Sequence, residues 1–222
     1  MTVAALVLLD CIAPPPPRNA TASIVGQLFP APKPERYLAF GEATLSINGE
    51  NHACGIEVKS NADTFTADFY GPLGIRVGSI RAASGRGLFR FGEEADQFDL
   101  SEPVMVPSLG MNRLLTYGDM LQVLAGRVPP RYEDPLEKPA DSTFGNNAAI
   151  TSLWKTDSME FSVRIERRSA AVSEVNVLYK DRDAGRESVR MSAMKDGRAR
   201  KIEVRNDDGN YFSISYSRVK RY

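Results

Sequence analysis

A single histidine, two cysteines and a few acidic or glycine-rich turns are the residues of this chain that could carry chemistry. His52 follows a hairpin turn, which suits a surface position, and no Ser-His-Asp set can be assembled around it. Asp207-Asp208-Gly209-Asn210 has the acidic spacing with which calcium loops begin, yet it lacks the downstream bidentate glutamate and reads as a turn. Gly85-Arg86-Gly87 lacks the helix that a phosphate cradle needs. Cys54 sits in the apolar pattern His-Ala-Cys-Gly-Ile-Glu-Val and should pack as a small hydrophobe. No catalytic residue, no metal and no cofactor is expected, and the chain is not read as an enzyme.

Cys11 is different. It ends the apolar run of residues 3–9, which is too short for a bilayer span of about 20 residues and fits the hydrophobic part of a secretion signal. Leu8-Leu9-Asp10-Cys11 resembles a bacterial lipobox, which implies lipid modification at Cys11. Residues 1–11 are therefore expected to be a signal-like segment, and residues 12–36 a proline-rich tether. Pro14 to Pro17 and Pro30-Ala-Pro-Lys-Pro34 favour extended polyproline structure, with a short helix expected at residues 23–29. Ile12 is not the aspartate associated with inner-membrane retention, so the outer membrane is favoured.

The elements that follow are strands. Apolar residues make up 42% of the chain, enough for a buried core, and its 28 basic and 28 acidic side chains cancel. That balance gives no reason to expect a nucleic-acid partner. Ala43, Leu45 and Ile47 alternate with polar residues before the turn pair Asn48-Gly49. Cys54, Ile56 and Val58, then Phe65, Ala67 and Phe69, keep the period of two. Gly71-Pro72-Leu73-Gly74 interrupts before Ile75 and Val77, and Phe89, Phe91, Phe98 and Leu100 complete the first half.

Across residues 113–127 the period changes to that of a helix, with Leu114, Leu115, Met120, Leu121 and Leu124 on one face. Gly126 is placed to cap it and Pro129-Pro130 to stop it. Residues 131–147 have no period and read as a loop. Alternation returns through Phe161, Val163 and Ile165, then Val175 to Tyr179, Val189 and Met191, Ile202 and Val204, and Phe212 to Tyr216. About eleven strands result, at the spacing of sandwiches and barrels. The fold class is mainly β, a curved antiparallel sheet with one covering helix, in a single domain over residues 37–222. Such a shape is a container.

This order of strands, with Gly71-Pro72-Leu73-Gly74, a helix ending Leu124-Ala-Gly-Arg-Val-Pro-Pro130, a loop and a final run of strands, resembles the bacterial outer-membrane lipoprotein receptors of the LolB family. The wider group includes the periplasmic LolA carriers. The resemblance implies an unclosed β-barrel under a helical lid, whose apolar interior receives the acyl chains of lipoproteins. It implies a membrane-inserting role for Leu73, in the Pro-Leu-Gly loop, and an anchor at Cys11. It also implies a LolA-like periplasmic donor and a lipid-anchored place on the outer membrane, facing the periplasm.

Under that reading the cavity is expected to be lined by Leu45, Ile56, Val58, Phe65, Phe69, Val77, Phe89, Phe91, Phe161, Val163 and Phe212. Leu114, Leu121 and Leu124 would form the inner face of the lid. Burying a 16-carbon chain is worth on the order of 12 kcal/mol, at about 0.8 kcal/mol per methylene. Cargo of that kind cannot be released into water, so it must pass between apolar environments. Two alternatives stand beside this one: an envelope lipoprotein carrying another amphiphile, such as a phospholipid or glycolipid, and an envelope scaffold with a filled core.

Overall fold

The structure, a computed structural model, describes residues 19–29, 36–47, 49–61, 63–106, 111–136, 140–181 and 185–221. Two antiparallel meanders form its sheet. The first runs β1 (Tyr37–Ile47), β2 (Glu50–Ser60), β3 (Thr64–Tyr70), β4 (Arg76–Ala83), β5 (Arg86–Phe91) and β6 (Glu94–Asp99). The second runs β9 (Ser142–Gly145), β10 (Ala149–Lys155), β11 (Met159–Glu166), β12 (Val172–Asp181), β13 (Gly185–Ser192), β14 (Lys201–Asn206) and β15 (Tyr211–Arg221). They join where β1 pairs with β15, giving a 13-stranded antiparallel sheet with β6 at one edge and β9 at the other. Those edges do not meet. This is the expected unclosed barrel.

The junction requires a glycine. The β1–β15 register shifts between Phe40 and Gly41, and a Cβ at Gly41 would come within 2.2 Å of the Ser215 carbonyl oxygen. A bulge at this central pair adds local twist, which helps the sheet to curl.

The segment linking the two free edges lies over the sheet. It holds the hairpin β7 (Pro103–Val106) and β8 (Met111–Thr116), helix α2 (Tyr117–Leu124), a 3₁₀ turn (Pro130–Tyr132) and the short helix α3 (Glu133–Leu136). Strand β8 packs against β13. Helix α2 is shorter than the expected 113–127. Thr116 is its N-cap, with extended backbone, and its hydroxyl accepts from the Asp119 amide while the Asp119 carboxylate accepts from the Thr116 amide. Residues before the cap pair with β7 instead. Leu114 thus belongs to a strand and not to the lid helix, and its side chain lies outside the described residues.

The stretch 131–147, expected as a loop, also contains ordered elements. Tyr132 and Leu136 are buried in the core and hold the 3₁₀ turn and α3 in place, and β9 pairs with β10. Four strands, β7 to β10, thereby exceed the eleven read from alternation. Helix α1 (Asn19–Leu28) falls within the expected tether, and its Ile24 and Leu28 are buried. Gln27 pins it to the β11–β12 turn, donating to the Ala170 carbonyl and accepting from the Val172 amide. Cys11 and the proline runs at 14–17 and 30–34 lie outside the described residues.

Candidate functional site

Paired residues across adjacent antiparallel strands share a face, so the ladder traces the inner wall. One row runs Ala39, Val58, Ala67, Ile80, Phe89 and the next Gly41, Ile56, Phe69, Gly78, Phe91. Near the middle of the sheet these rows are buried. Toward the outer strand they emerge: Phe89 is 37% exposed and Phe91 56%, their rings parallel with centroids 6.4 Å apart. The wall is therefore uncovered where its largest aromatic side chains stand.

The β3–β4 connection lies at the same end of the sheet. Its 3₁₀ turn Pro72–Gly74 holds Leu73 at φ 62°, in the left-handed region. Leu73 is 97% exposed and Ile75 63% exposed. A leucine in that conformation costs roughly 1–2 kcal/mol against an ordinary backbone, and its side chain gains nothing from the protein's own core. Two separate costs at one residue point to an external apolar partner. Leu73 does not fold back onto the rim.

The other end of the sheet is closed by α2. A cavity of about 430 Å³ lies between α2 and the β2–β3 and β4–β5 turns, within the size range of small-molecule sites. Phe65, Ala82, Leu100, Leu121 and Ala125 give it apolar surface, while Asn61, Asp63 and Ser84 line it with polar groups. Three hydrogen bonds tie the end of α2 to the second meander: Tyr216 Oη donates to the Leu124 carbonyl, Arg198 Nη1 to the Ala125 carbonyl at 2.8 Å, and the Ala199 amide to the Gly126 carbonyl at 2.8 Å. Gly126 has φ 74°, and a Cβ there would meet the Ala199 carbonyl oxygen at 2.7 Å. Gly126→Ala is accordingly expected to lower stability by about 2–4 kcal/mol, measured by urea unfolding with α2 contacts reported by hydrogen exchange. An unchanged midpoint would show that this attachment is dispensable.

The second meander is filled. Tyr132 stacks on Phe161 with centroids 5.6 Å apart, and Trp154 meets Phe161 edge-on at 6.1 Å. Arg131 donates to the hydroxyls of Tyr132 and Tyr179 and pairs with Asp119 at 3.2 Å, fastening this part of the lid. Phe161 and Val163, expected to line a cavity, are fully covered by this packing. Close enough to Tyr132 to act on it electrostatically is a residue that the sequence analysis did not name. Glu187 is 2% exposed, and neither of its carboxylate oxygens has a hydrogen-bond partner among the described residues. Burial pushes its pKa up to about 7, with the Arg131 charge opposing. Its phase was legible, because Glu187, Val189 and Met191 occupy the inward positions of one strand.

Of the residues singled out in the sequence, Phe65 and Leu121 meet in the 430 Å³ cavity, and Phe69, Phe89, Phe91 and Leu73 gather at the open end. Ile56, Val58 and Leu124 are buried, and Leu45 and Phe212 form a half-buried cross-strand pair. Val77 is the extra residue of a bulge opposite Phe69 and Tyr70, half-buried beside Gly71. His52 is exposed on β2, and Cys54 is half-buried with its thiol pKa raised by burial. The Asp207 carboxylate accepts from the Arg186 amide at 3.0 Å, so the acidic turn is used to support the β12–β13 connection. Leu100, Ala82, Ala125 and Ile75 were not expected at the site; as common apolar residues they carry no functional signal without the fold.

This arrangement has counterparts of known structure. A LolA superfamily protein from Nitrosomonas europaea matches with a TM-score of 0.53 at 9% identity, over 91% of this chain and 91% of that one. The two share a backbone fold. A Vibrio parahaemolyticus chain, named an outer membrane lipoprotein-sorting protein domain, matches with a TM-score of 0.53 at 12% identity, over 84% of this chain and 85% of that one. A DUF1329 family protein from Desulfovibrio piger gives a TM-score of 0.57 at 10% identity, over 90% of each chain. No protein-family model and no curated protein sequence matches the chain. At such identities the LolA-like likeness is one of backbone architecture, and the residues above must carry the functional argument themselves.

Proposed function

We propose that this protein is a lipid carrier of the bacterial envelope. It shields acyl chains against the inner wall of its unclosed barrel and passes them to a membrane through the Leu73 loop. The observation that carries this reading is the open rim: Leu73, Ile75, Phe89 and Phe91, exposed together at the uncovered end of an otherwise buried apolar wall. An envelope scaffold with a filled core has no use for such a rim. Its exposure would invite aggregation.

The finer reading is a receptor of the LolB type. It would take lipoproteins from a LolA-like donor, hold their acyl chains beneath α2, and deposit them in an outer membrane to which it is anchored at Cys11. Both the sequence resemblance and the LolA-like architecture support it. A related amphiphile, such as a phospholipid, would use the same wall. In neither case does the chain perform catalysis.

Native mass spectrometry of the protein purified without harsh detergent is expected to find bound lipid, and the mass of that lipid distinguishes lipoprotein acyl groups from phospholipid. Replacing Phe89 and Phe91 together by serine should weaken binding of a fluorescent fatty-acid probe at least about tenfold, given roughly 1.5–3 kcal/mol for each large apolar side chain. Absence of lipid together with unaltered probe binding would overturn the carrier reading.

A further inference from the structure

The uncovered wall ends at β6, and there its chemistry changes. The register sets Asp96 opposite Phe89 and Glu94 opposite Phe91, so two carboxylates continue the inner rows that carry the exposed aromatic rings. Both are exposed, as is Glu93 in the turn between β5 and β6. None of the three forms an ion pair among the described residues. The neighbouring cations point elsewhere. Arg90 is opposite Ser79 and Ala95, and Arg86 opposite Ala83 and Asp99, which puts both on the other face of the sheet. Strand β8, which carries Arg113, packs against β13 in the second meander.

Strand β6 also has a free side, because it is the last strand of the 13-stranded sheet. Its hairpin with β5 closes through the two-residue turn of Gly92 and Glu93. Glu94, Asp96 and Phe98 therefore exchange backbone bonds with β5, and the amides and carbonyls of Ala95 and Gln97 point outward. Among the described residues nothing takes up those outward groups. An edge of this kind admits a further strand, whose inward side chains would lie beside Asp96 and Glu94. Two copies of β6 are poorly suited to pair, since like charges would be brought together. A strand bearing lysine or arginine is suited, and its cations would also stand next to the rings of Phe89 and Phe91.

We propose that the β6 edge docks an extended, basic peptide segment of an acylated ligand while the acyl chain lies on Phe89 and Phe91. This rests on the carrier reading and narrows it. The free edge, the carboxylates and the aromatic rings share one hairpin, and an acylated polypeptide with positive charge close to its lipid satisfies all three. An anionic phospholipid does not, because the same carboxylates repel its phosphate.

The test measures binding of the full chain to short palmitoylated peptides that carry lysine, glutamine or glutamate at alternate positions. The lysine peptide is expected to bind about fivefold or more tighter than the glutamine one, with the gap closing as salt is raised, and the glutamate peptide to bind most weakly. Glu94→Gln combined with Asp96→Asn should erase that order without weakening binding of the fluorescent fatty-acid probe. Ala95→Pro removes only an outward amide, so it should weaken the lysine peptide and leave the probe and thermal stability nearly unchanged. Slower hydrogen exchange at Ala95 and Gln97 should accompany binding of the lysine peptide. Equal affinity for the lysine and glutamine peptides, or a preference that survives the double variant, overturns the assignment while the probe still reports an acyl site. Dimers that Ala95→Pro dissociates would give this edge to a second copy and overturn it as well. If neither probe nor peptide binds, the carrier reading fails and this one with it.

Discussion

Leu73→Glu is expected to leave fatty-acid binding within about twofold of the parent and to cut delivery into membranes by about tenfold or more. Burying one leucine is worth roughly 1.5–3 kcal/mol, which corresponds to about one to two powers of ten in partitioning. A glutamate at the same place adds a desolvation cost. Leu73 is almost fully exposed and touches none of the acyl wall, so binding should not depend on it. The measurement is transfer of a fluorescent acyl-peptide from the loaded protein to phospholipid vesicles, followed beside equilibrium binding of the same probe. Leu73→Gly sharpens the result. It relieves the backbone cost of φ 62°, so stability should rise by about 1 kcal/mol while delivery falls. A residue kept for packing could not produce that opposite pair. Normal delivery by both variants would remove Leu73 from the mechanism.

The second large effect concerns Glu187 and pH. Its pKa is raised from 4.5 to about 7 by burial on β13, where Tyr179 and Asn206 are its cross-strand partners. Below pH 4.5 the carboxyl is protonated in both the folded and unfolded chain, and folding gains or loses nothing from it. Between pH 4.5 and about 7 the folded state keeps a proton that the unfolded state has released, so stability falls as pH rises. Above about 7 both states are ionised and the full penalty, about 3 kcal/mol, is present. Glu187→Gln should flatten this part of the stability profile and be the more stable protein at pH 8. Urea unfolding of parent and variant between pH 4.5 and 8 measures the difference directly. Parallel profiles would show that Glu187 ionises without cost. Arg131 is the cation that opposes the shift, and it also fastens the lid through Tyr132, Tyr179 and Asp119. Ionisation of Glu187 should therefore also alter hydrogen exchange in the 3₁₀ turn at Pro130–Tyr132.

How far a residue's role could be read in advance depended on the range of the forces that set it. Asp119 caps α2 from three residues away, a local arrangement, yet Leu114 and Leu115 suit a helix or a strand equally. Pairing of β8 with β7 decided between them. The stretch 131–147 gave no period, because Tyr132 and Leu136 are anchored singly in a core built by distant strands. Phe161 and Phe91 looked alike in the sequence, each an aromatic residue on an alternating strand. One is sealed by Tyr132 and Trp154 and the other is open.

The amino-acid order marked eleven of the strands, their turns and the presence of the covering helix, because each rests on neighbours a few residues apart. The unclosed barrel under a lid was implied by the resemblance to the LolB family and not by the strand periods. Only the folded chain decided which inward faces are covered, that Leu73 projects outward, and that Arg198 lies over the Tyr37 ring. Those outcomes depend on contacts between residues far apart in the chain, and the period of a strand carries no record of what lies across from it.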